Sequence, residues 1–267
     1  MKIKKDVLDA FNLTGNIECL SGGRNTSIRV NDAVLKPIDN IPYYEWLLNI
    51  ISKINPQEYR LSKPIKSNNG TFIHKGWCCN RYEPGEHKIG NIKQKLEVSR
   101  LFHNDLAKET FENIPRADDP WSKSQLIAWQ RVKLPQNISK QIIIIIEDLL
   151  CKVRLKENYK VQIVHSDLSG NIMFDEILSP LIIDFSPTIA PVEYAEAILV
   201  CDCIAWQGSS ISEIELICHT EFNIEMILRA IIFRLSVTAI FAGDEFSKFI
   251  HDYLAFKPII DYINRQL

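Results

Sequence analysis

Net charge is nearly absent from this sequence: 31 lysines and arginines oppose 33 aspartates and glutamates, leaving −2 over 267 residues. That balance excludes a global basic field of the kind that draws a chain onto nucleic acid. Long hydrophobic runs are absent too. The isoleucines at 142–146 form as long an apolar run as the chain has, and Glu147 and Asp148 end it. A bilayer-spanning helix needs about 20 such residues. Residues 1–11 open with lysines but have no apolar core, so they do not read as a secretory signal. A cytoplasmic protein with no membrane partner is expected. The seven cysteines include adjacent Cys78 and Cys79 and the pair Cys201 and Cys203. Neither arrangement is a zinc-ligand set, which wants two spaced pairs or histidine partners. Reduced, mostly buried thiols are the expected state. No internal repeat and no low-complexity tract appears. What the chain does have is 46% hydrophobic residues, enough for one large domain or two lobes with their own cores.

The stretch that organises the chain is 164–171, Val-His-Ser-Asp-Leu-Ser-Gly-Asn, followed by Ile182-Ile183-Asp184-Phe185. An apolar run leads into a polar turn, a second leaves it at Ile172, Met173 and Phe174, and a third ends abruptly in Asp184. The β-branched runs read as short buried strands, with 175–180 as the turn between the last two. Such a hairpin predicts Asp167, Asn171 and Asp184 at one end of a sheet. Two carboxylates and an amide carbonyl are hard oxygen ligands plus a proton acceptor, the kit for holding Mg²⁺ on phosphates and steering a hydroxyl toward them.

These residues resemble the catalytic core of the aminoglycoside phosphotransferase and choline kinase-like superfamily, small-molecule kinases with the protein-kinase-like fold. The chain is also similar to an uncharacterised bacterial subgroup of it in Leu35-Lys36-Pro37, in 118–121, in 165–171 and in 184–187. The resemblance implies an α+β, bilobal fold, with an antiparallel N-terminal sheet plus a helix and a larger, mainly helical C-terminal lobe. It implies ATP and Mg²⁺ as cofactors and a small-molecule hydroxyl acceptor as the partner. Asp167 would be the catalytic base, His165 would brace its loop, and Asn171 and Asp184 would ligate the metal. One departure stands out: the common pattern puts five steps between the Asp and the Asn, and here there are four. That shortened turn motivates an alternative, a nucleotide-binding pseudokinase with a sensing role.

Upstream, residues 17–20 and 28–30 read as strands around a turn holding Gly22 and Gly23. Glycines there let backbone N–H groups approach phosphate oxygens. Lys36 ends the next strand, where its ammonium would reach the α- and β-phosphates. Residues 42–54 read as a helix whose apolar stripe is Trp46, Leu47, Ile50 and Ile54. Its Glu45 is the candidate partner that would aim Lys36. The pattern breaks at Glu83-Pro84-Gly85, which places the boundary between an N-terminal lobe (1–83) and a C-terminal lobe (84–267). In the resembled fold this is the hinge, where backbone near Arg81, Tyr82 and Glu83 would meet the adenine edge.

Further on, 92–108, 139–155, 192–206, 220–242 and 245–265 read as helices, the second apolar all round and so buried on most sides. Residues 185–191 read as a short loop with two prolines, leaving no room for a regulatory segment and favouring a small acceptor. Asp202 lies in an apolar run and needs partners. The resemblance has it bracing the backbone of the catalytic loop. Arg229 and Arg234 read as partners for acids or as groups reaching a ligand, the former being favoured. The acids at 193, 196, 213, 215, 221 and 225 are scattered, and nothing in the sequence makes them converge on a polycation.

Overall fold

The computed structural model describes residues 3–20, 26–110, 114, 115, 117–154 and 159–266. The chain divides into two compact units, one of residues 1–86 with 111–117 and 173–185, the other of 87–110, 118–172 and 186–267. The architecture is α+β, an antiparallel N-terminal sheet followed by a mainly helical remainder.

The first unit begins with α1 (Lys5–Ala10), β1 (Ile17–Cys19), β2 (Ile28–Val30), β3 (Ala33–Pro37), α2 (Ile41–Lys53), β4 (Arg60–Leu61), β5 (Pro64–Ile65), β6 (Ile73–His74) and β7 (Trp77–Arg81). Six of the strands make an antiparallel sheet in the order β1-β2-β3-β7-β5, with β6 also paired to β7. Alternation decides what each face carries. Ile28, Val30, Ala33, Leu35, Trp77 and Cys79 form one buried cluster with Val7 and Phe11 of α1. Lys36, one step from Leu35, therefore lies on the opposite face. Lys75 and Gly76 both take positive φ, 47° and 75°, in the two-residue turn into β7. That is the twist such hairpins require, and glycine supplies half of it without strain.

Helix α2 is capped at both ends. The Asn40 side chain accepts from Tyr43 N at 3.2 Å. At the other end Lys63 Nζ donates to the carbonyls of Ile51, Ser52 and Ile54, where a cation suits the helix dipole. The buried face is Leu47, Leu48, Ile50 and Ile51.

After β8 (Glu86–His87) come α3 (Ile92–Leu106), α4 (Pro120–Ala128), α5 (Lys140–Cys151) and β9 (Gln162–His165). Next, β10 (Ile172–Phe174) and β11 (Leu181–Ile182) form the hairpin read from the sequence. Strand β11 runs parallel to β4, with Arg60 N on Pro180 O at 2.7 Å and Ser62 N on Ile182 O at 3.1 Å. That ladder ties 173–185 into the first unit. The rest is β12 (Pro187–Ala190), α6 (Val192–Gln207), a short turn of tight helix at Ile211–Leu216, α7 (Glu221–Ala242) and α8 (Phe246–Asn264).

Two sequence expectations fail here for clear reasons. The five isoleucines of α5 are not buried all round: Ile142, Ile146 and Leu149 face the core while Ile144 is 67% exposed. Helical period, not composition, selects the buried face. The segment read as a loop after Asp184 contains a strand, β12, antiparallel to β9 with Pro187 opposite His165. Pro187 is tolerated because it opens the strand and Pro191 follows it. None of the seven cysteines is in a disulfide, and Cys78, Cys79, Cys201 and Cys203 are buried. Among the described residues no helix is long and apolar enough to cross a membrane.

Candidate active site

In the second unit the end of β9 carries His165 and the turn to Asn171. Side chains pin that turn from several directions. His165, fully buried, accepts from Asp167 N through Nδ1 at 3.1 Å. The backbone N–H of His165 donates to His103 Nε2 at 3.0 Å. Because Nε2 accepts, His103 must be neutral with its proton on Nδ1, facing Ser99 Oγ at 3.2 Å. Burial, aided by His165, pulls the His103 imidazole down to about 3. The four-step turn closes on itself: Asn171 Nδ2 donates to Asp167 O at 2.6 Å and to Asp167 Oδ2 at 3.2 Å. Both contacts use the amide nitrogen, and neither uses the Asn171 carbonyl oxygen.

The Asp167 side chain is 44% exposed, whereas that of Arg234, which holds it, is 6% exposed. Arg234 Nη2 donates to Asp167 Oδ1 at 2.6 Å. Its other contacts go to Asp202, with Nε on Oδ1 at 2.9 Å and Nη2 on Oδ2. The surrounding protein alone would raise the Asp167 carboxyl; the Arg234 charge and its hydrogen bond outweigh that and hold it below the usual range. For Asp202 burial wins, and its carboxyl is raised despite Arg234. Asp202 also accepts from Ser169 Oγ at 3.1 Å, so it braces the turn through a side chain and not through the backbone, as the resemblance had implied.

The Ser169 carbonyl meets a second buried cation. Lys95, with no exposure at all, donates Nζ to Ser169 O at 2.9 Å and to Gln207 Oε1 at 2.7 Å, and Gln207 Nε2 reaches the same carbonyl at 3.1 Å. Burial lowers the Lys95 ammonium, with Cys203 and Asp202 opposing. The sequence reading missed Lys95. Its signal was positional: it lies three residues after Ile92 and four before Ser99, on the buried face of α3.

In the first unit Lys36 Nζ contacts Asp184 Oδ1. Asp184 ends the β11 segment with φ of 49°, a left-handed conformation an aspartate tolerates better than most residues. Burial pulls the Lys36 ammonium down, opposed by Cys78. The expected pairing of Lys36 with Glu45 is not formed. Glu45 is exposed, one helical turn from exposed Asn49, whose side chain donates to the Glu45 carbonyl at 2.8 Å. The period that buries Leu48 and Ile51 turns Glu45 outward. Gly22 and Gly23 lie outside the described residues.

Two backbone donors of the expected hinge have partners within the first unit. Arg81 N donates to Lys63 O and Tyr82 N to Asp32 O, each at 2.7 Å. Both N–H groups are thus committed within the unit. The Tyr82 ring lies beneath the Arg29 guanidinium at 3.6 Å. Glu83 pairs with Arg60, which also donates to Pro84 O and Ser179 O at 2.8 Å each. Arg60 thereby knits this segment to the β10–β11 turn, a role the sequence did not announce. At Gly85 an added Cβ would sit 2.9 Å from Met173 Cβ, so the backbone approach there demands glycine.

Several of the scattered acids are already taken. Glu196 is held by Arg100 at 2.8 and 3.0 Å, Glu225 by Arg229 at 2.8 Å, and Glu213 closes a capping box with Ser210. Among the described residues no group of three or more His, Cys, Asp or Glu side chains could hold a metal ion. Asn171 and Asp184 are hard oxygen donors of the kind Mg²⁺ accepts one or two at a time, with phosphates and water completing its shell.

No protein-family model matches the sequence, and no curated protein does. Solved structures do match. Aminoglycoside phosphotransferase APH(4)-Ia aligns over 97% of both chains at 13% identity with a TM-score of 0.62. Choline kinase LicA from Streptococcus pneumoniae aligns over 97% of this chain and 98% of its own at 13% identity and 0.64. Amicoumacin kinase hAmiN, in complex with AMP-PNP, Ca²⁺ and Ami, aligns over 97% and 93% at 13% and 0.63. This chain therefore has the protein-kinase-like fold shared by small-molecule kinases.

Proposed function

We propose that the chain is an ATP- and Mg²⁺-dependent phosphotransferase acting on a hydroxyl of a small molecule. The observation that carries this reading is Asp167: a half-exposed carboxylate at the end of a buried strand, kept ionised and fixed by Arg234 and Asn171. A carboxylate so held accepts a hydroxyl proton without moving. As the acceptor oxygen bonds to the γ-phosphorus, its proton passes to Asp167. The bond from phosphorus to the β–γ bridging oxygen breaks, and ADP leaves. His165 sets the Asp167 backbone. Lys36 neutralises phosphate charge, exchanging its contact with Asp184 for the nucleotide. Asn171 and Asp184 are the ligands assigned to Mg²⁺, which supplies charge neutralisation on the phosphates when bound.

The neighbours support a small acceptor, since related structures hold hygromycin B with ADP or AMP-PNP. The engagement of Glu196, Glu213 and Glu225 in internal pairs gives no support to a polycationic one. Asp167→Asn is expected to leave nucleotide binding intact and lower turnover on the order of 10³-fold. ADP release across a panel of sugars, amino alcohols, nucleosides and aminoglycosides reads this directly. Tight ATP binding with no ADP release from the wild-type chain would instead identify a nucleotide sensor.

A further inference from the structure

We propose that Arg234 is the positioning residue of the transfer step: anchored on Asp202 through two nitrogens, it grips Asp167 Oδ1 and fixes the direction from which Oδ2 meets the acceptor hydroxyl. The inference rests on the phosphotransferase reading of Asp167.

Arg234 stands in the middle of α7, among Ile231, Ile232, Phe233 and Leu235, all buried. An apolar side chain there would pack without desolvating a charge, and a buried ion pair is a poor stability device against such a replacement. What an arginine supplies and a leucine does not is geometry. Its planar fork presents several donors in fixed relation, and here it spans two carboxylates at once. The fork has little freedom to swing, because its central carbon lies 5.0 Å from the Phe233 ring and 5.6 Å from the Trp206 ring. The other contacts of the turn act elsewhere. His165 holds the Asp167 backbone, Lys95 and Gln207 hold the Ser169 carbonyl, and the Asn171 contact to Oδ2 is long at 3.2 Å. Among the described residues only Arg234 gives the Asp167 carboxylate a short side-chain contact, at 2.6 Å. In a turn one residue shorter than the usual pattern, the orientation of the base is thus set from α7.

The test uses the full chain with MgATP and the acceptor panel, following ADP release, nucleotide affinity and thermal unfolding together. Absence of ADP release from the wild-type chain removes the phosphotransferase reading and overturns this inference with it. In an active wild type, Arg234→Lys keeps the buried charge but not the fork. It is expected to retain most of the thermal stability and wild-type nucleotide affinity while kcat falls about 100-fold, the size of effect a misplacement of about 1 Å produces. Recovery of kcat in step with stability would show that only the charge matters and would overturn the proposal. Should Arg234→Lys fail to fold, the paired replacement Arg234→Met with Asp202→Asn removes both buried charges. Low kcat at unchanged MgATP affinity in that folded variant supports the proposal, and wild-type kcat overturns it.

Discussion

The two units hold their chemistry-bearing acids in opposite ways. In the first, Asp184 meets Lys36 between side chains 47% and 32% exposed. In the second, Asp167 is tied through Arg234 to Asp202, and the last two side chains are 6% and 1% exposed. A partly exposed pair is worth little and exchanges readily, which suits the exchange proposed for Lys36 and Asp184. A buried, multiply bonded cluster is rigid, and losing one member strands the others. That suits the role proposed for Asp167. One unit thus holds an exchangeable pair and the other a fixed cluster.

The largest effect expected from breaking the buried side comes with acid. His103 is held neutral, its imidazole lowered from 6.5 to about 3. A lowered histidine contributes stability that is complete above the unfolded value and is lost as pH falls through the folded one. Between pH 6.5 and about 3 this group removes about 5 kcal/mol, at ~1.4 kcal/mol per pH unit. Equilibrium unfolding against pH should show His103→Gln losing stability less steeply across that window, since glutamine offers an acceptor to His165 N without titrating. Next, Asp202→Ala leaves Arg234 with Asp167 alone and Ser169 Oγ without its acceptor, and should lower the unfolding free energy by roughly 3–5 kcal/mol; a loss below about 1 kcal/mol in denaturant titration would dissolve the contrast between the two units. Smaller again is Gly85→Ala, which forces Met173 aside and should cost about 1–3 kcal/mol through overpacking, read as a lowered thermal midpoint. Smallest in stability is Lys36→Met, with a change within about 1 kcal/mol. Its turnover with MgATP should nevertheless collapse, and a variant with normal nucleotide affinity and turnover would remove Lys36 from the site.

Legibility followed the same division. Alternation in β3 and β7, the capped helix α2 and the strand-turn-strand around Asp167 were readable because local period and turn chemistry decide them. The hairpin of β10 and β11 was readable for the same reason. Glu45 was misassigned because a helix records which residues share a face, and not which face meets the sheet. Strand β12 is not legible locally because the prolines at 187 and 191 weigh on propensity, while the partner that makes it a strand, β9, lies more than twenty residues upstream. Asp202 and Arg234 were each flagged as charges in apolar runs, yet nothing local says that they bind one another or that Ser169 and Asp167 complete the set. Lys95 looked like any lysine of a charged helix until its burial was seen.

Neighbours a few residues apart set most of the elements and the order in which Lys36, Asp167, Asn171 and Asp184 occur, and composition alone sets the near-neutral charge. Which cation meets which acid follows only from how the elements pack. Lys36 with Asp184, Arg234 with Asp167 and Asp202, and Lys95 with the Ser169 carbonyl are separated by 148, 67, 32 and 74 residues along the chain. Partner choice at such separations follows from which buried faces pack together, and a charge cut off from water must accept whatever opposite group that packing brings within reach.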